Sequence, residues 1–140
     1  MPTDPSSSGT PLGFWTGLIT QHYYSHLLAR MQEYDIQKWF YVLLTVHDSK
    51  GAISQQELAD SLLLDKVTVV RAIDHLSERG FVQRLECPGD RRKHLLKTLP
   101  KANAVVKRIR TAFEEVNALA LEGLTMKERK VLLSQLTRIN

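Results

Sequence analysis

Residues 54–84 read "SQQELADSLLLDKVTVVRAIDHLSERGFVQR", and the way this stretch folds decides what the rest of the chain must do. Ser54 and Glu57 have the spacing of a capping box, in which a hydroxyl caps the helix start and a carboxylate three residues on reaches back to the cap amide. A short helix with Leu58, Ala59, Leu62 and Leu63 follows. Asp65 then caps a second helix over about Lys66–Arg79, and Gly80 terminates it. On a 100° wheel Val69, Ala72, Ile73 and Leu76 fall within about 100° of each other, which suffices for a buried stripe. Val67, Val70, Arg71 and Asp74 lie broadly opposite. A short helix followed by a second one with a distinct outward face has the layout of a helix-turn-helix, the second helix being the one that enters a major groove.

A hairpin comes next. "FVQRLE" (residues 81–86) alternates Phe81 and Val82 with polar residues, "CPGDRR" (87–92) turns, and "KHLLKTL" (93–99) returns. A basic hairpin in this position makes the helix-turn-helix a winged one. Upstream, Leu12, Trp15, Ile19, Tyr23, His26, Leu27 and Arg30 are spaced by three and four, predicting a helix over about Pro11–Gln32. A second helix, about Ile36–His47, is expected after an Asp35 cap, with Ile36, Trp39, Phe40, Leu43 and Leu44 as its buried stripe. Ala52-Ile53 reads as a short strand. Downstream, Pro100 opens a long helix to about Leu121, Gly123 breaks it, and "TMKE" (Thr125–Glu128) caps a last helix ending near Ile139.

The expected fold is therefore mainly α with a small β-hairpin wing: a winged helix-turn-helix flanked by N- and C-terminal dimerisation helices. Residues 11–140 read as a single winged-helix domain, with a DNA-binding lobe at about 36–99 and dimerisation helices at about 11–32 and 100–139. The outer helices carry more apolar residues than one small domain can cover. Val105, Ile109, Ala112, Val116 and Leu119 form one stripe, and Val131, Leu132, Leu136 and Ile139 another. Stripes of this kind pack against other helices, here expected from a second chain.

Composition narrows the class. With 43% hydrophobic and 24% charged residues over 140 positions, the chain matches ordinary soluble globular proteins. No apolar run approaches the roughly 18 residues needed to cross a membrane. The start, "MPTDPSSSGTP", lacks the basic and apolar regions of a signal peptide, and its Pro, Ser, Gly and Thr content reads as a disordered tail over residues 1–10. A single cysteine, Cys87, excludes an internal disulfide framework and fits a reducing cytoplasm. The formal charge is +4, but twelve basic and five acidic residues lie between Asp65 and Arg110, a local balance of +7. From Arg91 to Phe113 there are eight basic residues and no acidic one. Charge gathered on one segment is the footprint of a polyanion binder, with a solvated basic face as the alternative.

The quoted stretch resembles the MarR family (multiple antibiotic resistance regulators): a Leu-Ala pair, "LDK", a recognition helix, an "L-x-x-x-G" terminus and the first wing strand. "PGDRRKHLLKTLPKAN" (residues 88–103) is similar to the family's wing signature, in which Asp-x-Arg precedes a Leu-Thr and a Gly. Asp90 and Arg92 match it. The sequence departs at Thr98-Leu99, where the order is reversed, and at Ala102, where the family has Gly. With the helical order at both ends, the resemblance covers about residues 12–139. It implies a homodimeric bacterial or archaeal transcription regulator on a pseudo-palindromic operator of double-stranded DNA. It also implies, for many members, release of DNA when a small, frequently aromatic, effector binds between the dimer region and the DNA-binding lobe.

Several residues would carry such a function. Where the family commonly places small hydroxyl residues, this sequence has Val67 and Val70. A valine methyl can pack on the C5-methyl of thymine; the alternative is that Val67 buries against the neighbouring helix or the wing. Arg71 has the fork that matches guanine O6 and N7, although Asp74, three residues on, offers it an intrahelical pair. Lys66, Thr68, Ser54 and Gln55 stand at helix N-termini that favour phosphate, with Ser54 also explained as a cap alone. In the wing, Arg91 and Lys93 suit phosphates and Arg92 a narrow minor groove. By the family resemblance, Asp90 orients Arg92 through a charge-assisted hydrogen bond.

For an effector, Trp15, Tyr23, His26, Trp39 and Tyr41 lie on the helices that bound the family's pocket, though aromatic residues there also serve as core. His22 and His26 are an i, i+4 pair, but no third ligand is evident and no metal or other cofactor is expected. No Ser/His/Asp set, phosphate-cradling loop or paired carboxylates appear at useful spacing, so an enzyme is not expected. The reading that competes with DNA binding is a winged-helix module for protein–protein interaction without specific DNA binding.

Overall fold

The capping box at Ser54 forms as its spacing predicts. The Ser54 hydroxyl accepts the Glu57 amide at 3.2 Å, and the Ser54 amide donates to Glu57 Oε2 at 2.7 Å. This fixes the start of helix α3 (Gln55–Leu62) in a computed structural model that describes residues 11–139. The tail expected at residues 1–10 lies outside the described residues. In chain order the elements are α1 (Leu12–Met31), a 3-10 turn (Gln32–Tyr34), α2 (Phe40–Asp48), β1 (Ile53–Ser54), α3, α4 (Lys66–Glu78), β2 (Val82–Cys87), β3 (Asp90–Thr98), α5 (Ala102–Ala120) and α6 (Met126–Leu136). This is the expected winged helix: mainly α, with one small sheet.

The chain packs as two units, one formed by Met31–Ala112 and the other by the segments on either side of it. In the Met31–Ala112 unit, α2, α3 and α4 pack together and β2 closes against α4. The three strands are antiparallel in the order β1-β3-β2. Ile53 pairs with Leu96, and Leu96 also faces Arg84 on β2, so β3 is the central strand. The core holds Ile36, Phe40, Leu43, Val46, Leu58, Phe81, Val82 and Leu96, all buried. The four wheel positions Val69, Ala72, Ile73 and Leu76 are at most 1% exposed, which fixes the rotation of α4 about its axis. Gly80 takes φ +76 just past that helix, a conformation that costs little without a Cβ.

Three sequence expectations shift. Asp35 does not cap α2: it adopts a left-handed φ of 48, and the helix begins at Phe40, with Ile36 and Trp39 buried ahead of it. Both polar groups of Asp35 serve other residues, its carbonyl accepting from His75 Nε2 at 2.8 Å and its carboxylate from Arg79 Nε at 2.6 Å. The wing turn is shorter than "CPGDRR", since Cys87 still pairs with Asp90 and only Pro88 and Gly89 connect the strands. Gly89 has φ +89 after a proline, the residue order of a type II turn. Pro100 and Lys101 form a turn, and α5 starts two residues later than Pro100.

In the other unit, Tyr23 of α1 stacks on Phe113 with ring centroids 6.5 Å apart, and its hydroxyl donates to Asn117 Oδ1 at 2.6 Å. Arg30 Nε donates to Glu115 Oε2 at 2.8 Å. Helix α6 is capped by Thr125 and Glu128 in a second capping box. Leu12, Ile19, Leu28, Leu119, Met126, Val131, Leu133, Leu136 and Ile139 are exposed. No helix among the described residues is long and apolar enough to cross a membrane.

Candidate nucleic-acid interface

The rotation of α4 sets the outward face. With Val69, Ala72, Ile73 and Leu76 inside, Val67 is left 68% exposed, Val70 half-buried and Arg71 exposed. These three residues, with Asp74, His75 and Glu78, border one open depression of about 440 Å³. Burial of Val67 against the neighbouring helix or the wing, the alternative left open by the sequence, is not what the structure shows. The helix start is held by Asp65, whose Oδ1 accepts the Thr68 amide at 2.8 Å and whose Oδ2 accepts the Thr68 hydroxyl at 2.6 Å. Those two bonds, the hydroxyl's first, hold the Asp65 carboxyl below the usual carboxylate range. The Thr68 hydroxyl proton is thereby committed to the cap, which leaves that oxygen as an acceptor only.

A second depression, about 390 Å³, collects residues from the start of α3, the start of α4 and the wing: Ser54, Gln55, Lys66, Asp90, Arg92 and Lys93 are among those lining it. Nine of the eleven residues expected to meet DNA thus border one of two depressions in the same unit. Thr68 and Arg91 border neither, and Arg91 is exposed at the wing. Ser54 is 4% exposed, with its hydroxyl and amide both used in the capping box, so its role here is that of a cap. Glu57, its partner, is held below the usual carboxylate range by the Ser54 amide first and the Ser54 hydroxyl second. Asp90 accepts the backbone amide of Arg92 at 2.9 Å, so it shapes the tip backbone from which the guanidinium extends.

The pairing of Arg71 with Asp74 does not form. Asp74 Oδ1 instead accepts from Arg84 of β2 at 2.6 Å, and Arg84 Nε also donates to Gln55 Oε1 at 2.7 Å. Arg71 makes no hydrogen bond or ion pair among the described residues. Sequence reasoning missed Arg84, yet a signal was present. Side chains two apart on a strand share a face, so Arg84 stands on the side of buried Val82, where a charge needs partners.

Of the five residues considered for an effector, Trp15, Tyr23 and His26 belong to the unit containing α1 and α6, whereas Trp39 and Tyr41 belong to the Met31–Ala112 unit. Tyr23 and His26 line a cavity of about 260 Å³ with Ile19, His22, Val116, Leu119 and Ala120. The indole N–H groups of Trp15 and Trp39 are buried without a hydrogen-bond acceptor among the described residues, and Trp39 lies 5.3 Å under the Lys38 ammonium. Burial raises the Tyr41 phenol above its ordinary value. No group of three or more His, Cys, Asp or Glu among the described residues is placed to hold a metal ion.

The MarR family model matches residues 35–93, from the approach to α2 through the wing tip. A SlyA-like transcription regulator from Listeria monocytogenes superposes with a TM-score of 0.86 at 26% identity, covering 92% of this chain and 86% of that one. The transcriptional regulator SlyA gives 0.84 at 27% identity over 92% and 91% of the two chains. A mutant of MarR from E. coli, complexed with operator DNA, gives 0.84 at 25% identity over 97% and 98%.

Proposed function

Taking residues 35–93 as a MarR-family segment within a MarR and SlyA transcriptional-regulator fold, we propose that the chain is a sequence-specific DNA-binding regulator. It acts in the cytoplasm as a homodimer on a pseudo-palindromic operator. The observation that carries this reading is the outward face of α4, where Arg71, exposed and without a partner among the described residues, stands beside Val67 and Val70. Arg71 reads guanine through its fork, and the valines pack on thymine methyls. Lys66, Gln55, Arg91 and Lys93 hold phosphates and set the register, and Arg92 reaches the adjacent minor groove.

Two recognition helices are needed to read a palindrome, and the exposed apolar residues of α1, α5 and α6 support an association of two copies. A small aromatic effector would bind in the cavity bordered by Tyr23 and His26. The test is duplex binding by fluorescence anisotropy with Arg71→Ala and Arg92→Ala. Loss of operator binding with an unchanged circular dichroism melt supports the reading; unchanged DNA affinity in both variants sinks it and favours the protein-interaction module.

A further inference from the structure

Strand β2 directs one charged side chain toward the helices. Arg84 lies on the face of buried Val82, and its guanidinium spans two elements: Nε donates to Gln55 Oε1 at 2.7 Å and Nη2 to Asp74 Oδ1 at 2.6 Å. One side chain therefore joins the wing to the first residue of α3 and to the outward face of α4. Arginine has donors only, so the oxygen of the Gln55 amide must face it, and the two N–H donors of that amide point elsewhere.

Asp74 is a competitor for Arg71 by its place on the helix. The two are three residues apart on one helix face, about 5–6 Å between Cβ atoms, the spacing at which a carboxylate and a guanidinium pair. They border the same depression. The carboxylate is nevertheless held by the residue on the wing strand, through a charge-assisted bond of the short, strong kind. Arg71 is left without a partner among the described residues.

We propose that Arg84 is a positioning residue for base reading. By holding Asp74 it keeps the Arg71 fork available to a base edge, and by holding Gln55 Oε1 it turns that amide's donors toward phosphate. Removing Arg84 frees Asp74 to capture Arg71, so a residue remote from the base step controls discrimination there. The proposal rests on the DNA-reading function given above.

The experiment is selection of bound sites from random duplex DNA at one fixed salt concentration, using the full chain as wild type, D74A, R84A and R84A/D74A. Melting curves report the fold of each. A bidentate arginine–guanine contact gives a preference of about 5- to 150-fold at its base pair. Wild type and D74A are expected to share that preference. R84A is expected to lose most of it at that one position while keeping the other half-site positions, and R84A/D74A to regain it, because the competing carboxylate is gone. Should R84A melt below the assay temperature, R84M, which keeps an aliphatic stem in place, carries the same comparison.

Retention of the wild-type preference by R84A overturns the proposal. So does failure of R84A/D74A to recover it, which marks Arg84 as a support for the fold alone. A wild-type chain that selects no sequence at all removes the DNA-reading function itself, an outcome distinct from either.

Discussion

Val67→Ser separates readout from packing at a single side chain. Val67 is 68% exposed, so about a third of its surface is covered in the free protein. Full burial of a valine is worth roughly 1.5–3 kcal/mol, so the share at risk is about 0.5–1 kcal/mol. Serine and valine have similar helix propensities, so the backbone adds little. The expected loss of stability is therefore below about 1 kcal/mol, a shift of a few degrees in melting temperature.

In the proposed DNA complex, the same substitution removes a methyl that packs on thymine. One buried methyl-sized group is worth about 0.8 kcal/mol, which corresponds to roughly a fourfold loss of preference at one base step. The assays are thermal melting by circular dichroism and anisotropy titration with duplexes differing at a single thymine. Val69→Ser is the contrast: Val69 is 1% exposed, and its loss leaves a cavity and buries a hydroxyl, costing several times more stability. If Val67→Ser destabilises the chain as severely as Val69→Ser, the outward placement of Val67 is refuted and its readout role with it.

Other consequences are equally concrete. Leu63 caps the C-terminus of α3 in the left-handed region, φ 52, and is 93% exposed, so Leu63→Gly removes backbone strain without losing packing. A gain of about 0.5–1 kcal/mol is expected in urea titrations, and a lower midpoint than wild type would count against it. Asp65 and Glu57 are held below the carboxylate range by the caps they complete. Their contribution is full above the unfolded value near 4 and is lost as pH falls through the lower folded values. Urea midpoints should thus hold between pH 7 and 5 and drop below 4, with a shallower drop for Asp65→Asn; identical pH profiles would contradict the cap assignment. Val131→Lys combined with Leu136→Lys places charge on the exposed apolar residues of α6. If the proposed dimer uses this face, sedimentation should find the variant monomeric at concentrations where the wild type sediments as a pair, and identical sedimentation of the two would move the interface elsewhere.

What the sequence made legible was local. Both capping boxes, the Asp65 cap, the Gly80 stop and the stripe Val69, Ala72, Ile73 and Leu76 depend on spacings of three and four residues, and all of them appear in the fold. What it concealed depends on residues far apart in the chain. Asp35 has the chemistry of an N-cap, but His75 and Arg79, 40 and 44 positions later, take its oxygens, and α2 starts at Phe40 instead. Asp74 follows Arg71 by three residues, a spacing at which the two can pair, yet Arg84 arrives through the wing and wins the carboxylate. Local spacing sets which pairs are available, and tertiary packing decides which of them form. The gathering of Gln55, Lys66, Asp90, Arg92 and Lys93 around one depression is of the second kind, since three separate elements supply it.

In the proposed function the α4 face and the wing read a DNA sequence. Its most direct measurement is selection of genomic fragments by the purified chain at two salt concentrations, with sequencing of what is retained. The expected result is a pseudo-palindromic site whose half-sites lie about one helical turn, roughly 10 base pairs, apart and carry guanine and thymine at the α4 contacts. Absolute affinity falls with salt as phosphate contacts weaken, while the base preference persists. Recovery of fragments without a common sequence, bound only at the lower salt, would contradict it.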